Sequence, residues 1–337
     1  MKKITLIGFL VVLLWSCSSQ MPKDSAIDAT KYLKTITAAD LKTHLTIVAS
    51  DEMEGRETGS AGQKKAGKYL INQYQSNAIS FPKGATDYYQ KVPAAFLNTD
   101  SNRNLPDSEN IWAYIEGSEK PNEVIVISAH YDHVGVKNGE IYNGADDDGS
   151  GTVALLEIAQ AFAKAKKEGY KPKRSILFLH VTAEEHGLFG SSYYTENPLF
   201  PLTNTVANVN IDMIGRHDEL HNDSSNYTYI IGSDFLSTDL HNSCEVANKK
   251  YVNLFLDYRY NNKTDPNRFY YRSDHYNFAK NGIPSVFLFT GVHADYHKTT
   301  DDMDKIEFDA LTKRTQLAFA IVWELANREN RPVVDKN

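Results

Sequence analysis

Residues 175–182 read Ser175-Ile176-Leu177-Phe178-Leu179-His180-Val181-Thr182, a near-continuous apolar run. A strand whose side chains do not alternate between apolar and polar must be covered on both faces, the situation of a parallel strand between two helical layers. Residues 206–211 and 284–289 repeat the pattern, and residues 111–116 and 124–129 are short β-branched strand candidates. Between and after them come stretches of helical period: residues 151–164, then 309–327 with Leu311, Leu317, Ile321 and Leu325 on one face. Strand–helix alternation of this kind predicts an α/β fold, a mainly parallel (mixed) sheet sandwiched by helices.

Ahead of that core, residues 38–50 and 60–76 read as helices, the first with Leu41, Leu45 and Val48 on one face, the second with Ala66, Leu70 and Tyr74. They flank a polar turn, Glu54-Gly55-Arg56-Glu57-Thr58-Gly59, and residues 79–107 read as loop. Residues 213–283 interrupt the alternation with an excursion carrying eight tyrosines. So long and aromatic a segment is either a structured rim over a site or a layer packed on its own sheet, and the sequence leaves both open. No internal repeat or low-complexity tract occurs. The chain therefore divides into residues 1–16, a polar tether over 17–30, and one domain over 31–337, with a helical arm over about 31–105 and a catalytic core over about 106–330.

The first segment has the layout of an export signal: Lys2 and Lys3, then apolar residues 4–15, too few for a comfortable membrane span. It ends Leu14-Trp15-Ser16-Cys17, similar to a bacterial lipobox, which implies removal of residues 1–16 and lipidation of Cys17. The expectation is an exported protein, lipid-anchored to a bacterial membrane on the periplasmic or cell-surface side. Losing Lys2 and Lys3 moves the formal charge from −7 to −9. An acidic surface repels a phosphate backbone, which argues against a nucleic-acid partner. Cys244 is then the remaining cysteine, has nothing to pair with inside the chain, and is expected to be buried and neutral.

The residues just past each strand carry the chemistry. After 124–129 comes His130-Tyr131-Asp132-His133; after 175–182, Ala183-Glu184-Glu185-His186-Gly187; after 206–211, Asp212-Met213-Ile214-Gly215. Ligand sites of open α/β sheets lie at the carboxyl ends of strands, so these strands deliver histidines and carboxylates to one rim. Gly144-Ala145-Asp146-Asp147-Asp148-Gly149-Ser150-Gly151 and Tyr296-His297 can join them by loop. So many carboxylates at one edge repel one another unless a cation neutralises them. Histidine and carboxylate donors without thiolates suit Zn²⁺, with Mn²⁺ or Co²⁺ as substitutes.

These segments, in this order, resemble metallopeptidase family 28, which comprises two-zinc aminopeptidases and relatives including some carboxypeptidases. The resemblance spans residues 38–328 and takes in Glu54-Gly55-Arg56 and Ser273-Asp274-His275. It implies a zinc-dependent exopeptidase acting on peptides, most simply an aminopeptidase, with two Zn²⁺. His130 and Asp212 would hold one ion, Glu185 and His297 the other, and Asp147 would bridge them. Glu184 would be the general base, Tyr296 a donor to the developing oxyanion, and Asp132 the carboxylate that orients His130. Two departures stand out: Asp146 replaces the family's asparagine, and Lys298-Thr299-Thr300 replaces its Thr-Pro. His133, His186 and His275 are read as rim or structural residues. Ser273-Asp274-His275 holds the residue types of a serine-hydrolase triad, but as sequence neighbours, which argues against one. The alternatives are a one-zinc glutaminyl-peptide cyclase on the same fold and a non-catalytic, metal-stabilised surface binding protein.

Overall fold

A computed structural model describes residues 28–99 and 103–336. The expected export signal and Cys17 lie outside them. The strands are β1 (Tyr89–Val92), β2 (Ser108–Ile115), β3 (Lys120–His130), β4 (Gly135–Lys137), β5 (Glu140–Tyr142), β6 (Arg174–Val181), β7 (Thr205–Ile211), β8 (Tyr227–Ile231), β9 (Phe255–Asp257) and β10 (Ser285–Phe289). The helices are α1 (Thr30–Leu33), α2 (Ala38–Val48), α3 (Ala61–Ser76), α4 (Ala94–Leu97), α5 (Gly151–Lys167), α6 (Phe189–Glu196), α7 (Thr238–Ala247), α8 (His275–Ala279) and α9 (Phe308–Asn327). Eight strands form one sheet in the order β1-β2-β6-β3-β7-β10-β8-β9, while β4 and β5 pair as a separate hairpin. The middle four, β6-β3-β7-β10, are parallel; β1, β2 and β8 join antiparallel. The fold is the expected mixed, mostly parallel sheet between helices.

The apolar runs are legible because their side chains do alternate, between two buried faces. Ile125, Ile127 and Ala129 of β3 pack with Ile176 and Phe178 of β6 under α2, α3, α5 and α9. Val124 and Val126 join Leu177, Leu179 and Val181 on the opposite face, with Tyr194 of α6 and Phe278 of α8. Fully burying one such aliphatic side chain is worth about 1.5–3 kcal/mol. Helix starts are locally encoded. Thr37 accepts the Asp40 N–H at α2, and Ser60 accepts the Gln63 N–H at α3, caps worth about 1 kcal/mol each.

Two segments depart from the sequence reading. Residues 79–107 hold β1 and the single-turn α4, elements too short to show a period. The tyrosine-rich excursion does both things left open for it. Its β8 and β9 extend the sheet, and Tyr227 and Tyr229 pack with Phe287 and Phe289 of β10. Its later part brings Phe269 and Arg272 beside Tyr296. No helix among the described residues is long and apolar enough to cross a membrane.

Candidate metal centre

Because β6, β3, β7 and β10 are parallel neighbours, their carboxyl ends open on one rim. His130 is the last residue of β3, Asp212 follows β7, Glu184 and Glu185 lie in the turn after β6, and His297 lies in the loop after β10. Asp147 enters from the loop between β5 and α5. The structure brings all of the residues predicted for the centre together.

Asp147 sits between two groups. Its Oδ1 is 3.2 Å from His130 Nε2, and its Oδ2 is 3.0 Å from His297 Nε2. On the His130 side, Asp212 Oδ1 lies 3.6 Å and Glu184 Oε2 3.9 Å from His130 Nε2. On the His297 side, Glu185 Oε2 lies 2.9 Å from His297 Nε2. Tyr296 stacks on His297 with ring centroids 3.9 Å apart. His297 itself takes a left-handed φ of 54°, the sort of local strain that clusters at functional sites.

Supporting contacts fix these side chains. Ser273 donates from Oγ to Asp212 Oδ2 at 2.6 Å and accepts from Asn210 Nδ2 at 2.8 Å, which accounts for the serine without a triad. Asp132 does not orient His130 through its carboxylate as predicted. His130 Nδ1 is 3.1 Å from the Asp132 backbone oxygen and 3.8 Å from its Oδ1. The carboxylate instead accepts from Thr58 Oγ1 and from the backbone N–H groups of Glu184 and Glu185, so it sets the course of the glutamate turn. Asp301 accepts the N–H groups of Asp146 and Asp147. Asp146, the departure from asparagine, accepts the Gly215 N–H and faces His293 Nε2 at 3.2 Å, so its charge has its own partner behind the centre.

Three residues of the centre were missed or misread. Asp148 forms a compact donor group with His130 and Asp212, and its Oδ1 accepts the N–H groups of Gly151 and Met213. A Cβ on Gly151 would lie 2.4 Å from that oxygen, so the Asp148-x-x-Gly151 spacing was a readable signal. Arg56, fully buried, donates to the carbonyls of Val48, Tyr131, Asn143 and Gly144 and ties the His130 loop to the acidic loop. His133, read as a rim or structural residue, lies in the centre with Nδ1 2.8 Å from Glu185 Oε1. The other two histidines match their structural reading. His186 pairs with Glu57, and His275 is buried against Phe287, where burial pulls its pKa down to about 3.

The electrostatics call for a cation. Burial pushes the Glu184 carboxyl well above its usual range, assisted by Asp212 and Glu185 and opposed by His130. Burial would lower His297, but its contacts with Asp147 and Glu185 carry it up to about 10. Among the described residues no lysine or arginine pairs with Asp147, Glu184, Glu185 or Asp212. His130 Nε2, His133 Nδ1, Asp147 Oδ2, Asp148 Oδ2 and Glu185 Oε1 are all buried without a hydrogen-bond partner. Each such atom costs about 1–3 kcal/mol unless something satisfies it. Donors that converge yet do not bond to one another fit metal ions, and imidazole with carboxylate suits zinc.

Residues 110–322 match the sequence pattern of Peptidase family M28. The chain belongs to peptidase family M28. Among M28 relatives, a probable leucine aminopeptidase 2 of Aspergillus oryzae is 31% identical over 255 residues, covering 67% of this chain and 46% of the relative. The chain thus spans about half the length of the curated relatives it matches. The LapA aminopeptidase of Legionella pneumophila superposes with a TM-score of 0.68 at 23% identity, covering 92% of this chain and 79% of that one. A Bacteroides thetaiotaomicron glutaminyl cyclase superposes with a TM-score of 0.64 at 18% identity, covering 86% and 98%. Likeness at such identities speaks for the M28 fold alone, and it spans both chemistries.

Proposed function

We propose that the chain is a zinc-dependent exopeptidase, an aminopeptidase that hydrolyses N-terminal peptide bonds at a two-zinc centre. The observation that carries this reading is Asp147, which turns one oxygen to His130 and the other to His297. His130 and Asp212 would hold one ion, Glu185 and His297 the other, and Asp147 would serve both. When bound, such ions acidify water and polarise a carbonyl. Glu184, in reach of the centre and ligating nothing in this scheme, takes the proton of the attacking water and returns one to the leaving amine. Tyr296 donates from its hydroxyl to the oxygen on which charge develops. Phe269, Phe287 and Phe289 line the pocket beside Glu184 and Asp212 and exclude water from the terminal side chain. The names of M28 relatives support the amino-terminal reading.

The test is a panel of aminoacyl, N-blocked and carboxypeptidase substrates. Release from free amino ends alone supports the proposal; exclusive release from carboxyl ends overturns the polarity, and cyclisation of N-terminal glutamine without hydrolysis favours the cyclase. We propose further that the protein is exported and anchored through Cys17, on the strength of the residue 1–17 pattern. Cys17→Ala should then free it from the membrane fraction; unchanged retention would sink the anchor.

A further inference from the structure

The Glu185 half of the centre holds a second histidine, where the other half holds Asp148. His133 is fully buried, and both of its ring nitrogens lack a hydrogen-bond partner. Its Nδ1 lies 2.8 Å from Glu185 Oε1, close enough to bond, yet neither atom has a partner, so they are misaligned toward each other. Set among other converging imidazole and carboxylate donors, such a pair is placed to share a metal ion. The same Nδ1 is 3.7 Å from Asp147 Oδ2. His297 Nε2 stands at 2.9 Å from Glu185 Oε2 and 3.0 Å from Asp147 Oδ2, so both histidines flank the same two carboxylates. Donors on a tetrahedral zinc, each about 2.0–2.1 Å from the metal, lie about 3.3 Å from one another. The separations here bracket that spacing.

The chain also holds the ring in place. His133 donates its backbone N–H to the Arg56 carbonyl at 3.2 Å, and Arg56 in turn binds the carbonyls of Asn143 and Gly144. Gly144, at φ +55°, packs its backbone on the imidazole; a Cβ there would lie 2.4 Å from ring atoms Cγ and Cδ2. An aspartate or asparagine could adopt that φ. The approach to the Asp147 carbonyl oxygen, which that Cβ would meet at 2.3 Å, and to the ring is what demands glycine.

We infer that His133 is a fourth protein donor, through Nδ1, to the ion held by Glu185, His297 and Asp147. This rests on the two-zinc reading above and deepens it. With His133 that half would offer two imidazoles and two carboxylates, Glu185 and Asp147, while His130, Asp212, Asp148 and Asp147 converge on the other.

Zinc X-ray absorption on the purified holoprotein counts the imidazoles directly. The inference expects three per two zinc ions in the wild type and two in His133→Ala. Release of zinc to a competing chelator supplies a second readout. His133→Asn keeps an N–H near the position of Nδ1 and can still orient Glu185. It should nonetheless weaken one of the two zinc ions by more than about 100-fold, beyond the 10–100-fold typical of losing a group that merely orients a ligand. Two imidazoles per two zinc ions in the wild type, with both zinc affinities intact in His133→Asn, would overturn the inference and leave the two-zinc reading standing. A wild type that binds one zinc overturns both.

Discussion

The two ends of the central strands share a backbone and differ in how their buried polar groups are satisfied. At the amino ends, Arg174 opens β6 fully buried, donates to the carbonyls of Leu325, Arg328 and Glu329, and pairs with Glu123. Ser175 beside it donates to the Pro121 carbonyl and accepts from Tyr114. At the carboxyl ends, the histidines and carboxylates crowd together and several of their atoms face no partner. A native domain has a net stability of about 5–15 kcal/mol, and several unsatisfied buried groups at about 1–3 kcal/mol each would consume much of it. Around Arg174 the chain supplies the partners itself; the donors at the other end are left to be completed by a bound cation, as proposed above.

That contrast breaks most readily by metal removal. Zinc at about 1,000 times its Kd stabilises a site by about 4 kcal/mol, so chelation should lower the Tm steeply, and adding zinc back should restore it. An Arg174→Ala variant should respond to zinc as the wild type does, since its defect lies at the other end. A chelated protein that melts unchanged would refute the contrast.

Arg56→Ala comes next. It strands four carbonyls under the metal loops and should cost about 3 kcal/mol or more, with a loss of zinc affinity that Arg174→Ala does not share. Equal zinc affinity in the two variants would show that Arg56 merely fills space.

Glu184→Gln separates chemistry from metal holding. It should keep both zinc ions while kcat falls at least ~10²-fold, about 2.7 kcal/mol in barrier. Glu185→Gln should instead shed zinc, an amide being a poor ligand. Activity near wild type in Glu184→Gln, or zinc loss in that variant alone, would reverse the assignment.

A further effect lies away from the rim. His180 is buried beside Tyr74, and burial lowers its pKa to about 3. The unfolded chain takes up that proton near its ordinary pKa of 6.5, so stability is present above 6.5 and falls as pH drops toward about 3. His180→Gln should flatten the pH dependence by up to about 1.4 kcal/mol per pH unit in that window. An unchanged slope would mean that His180 is protonated in the fold.

The sheet and most of the centre were legible in the sequence because both are local consequences of strand position. An unalternating run such as residues 175–182 states that both faces are covered, and a residue after such a strand is delivered to the rim whatever the rest of the chain does. His133 was not legible in this way. It lies beyond the strand, and its direction is set by contacts with Arg56 and Gly144, one far back in the chain and the other in the next loop. Asp132 was located but misread, since its neighbour His130 meets its backbone oxygen while its carboxylate turns to the glutamate loop. The short β1, α4 and β9 carry too few residues to print a period.

If two carboxylate-and-histidine halves share Asp147, the zinc content of the purified chain shows it. Two zinc equivalents per wild-type chain are expected, with both bound more weakly in Asp147→Asn. A single tight zinc that supports full activity, retained by Asp147→Asn, would contradict it.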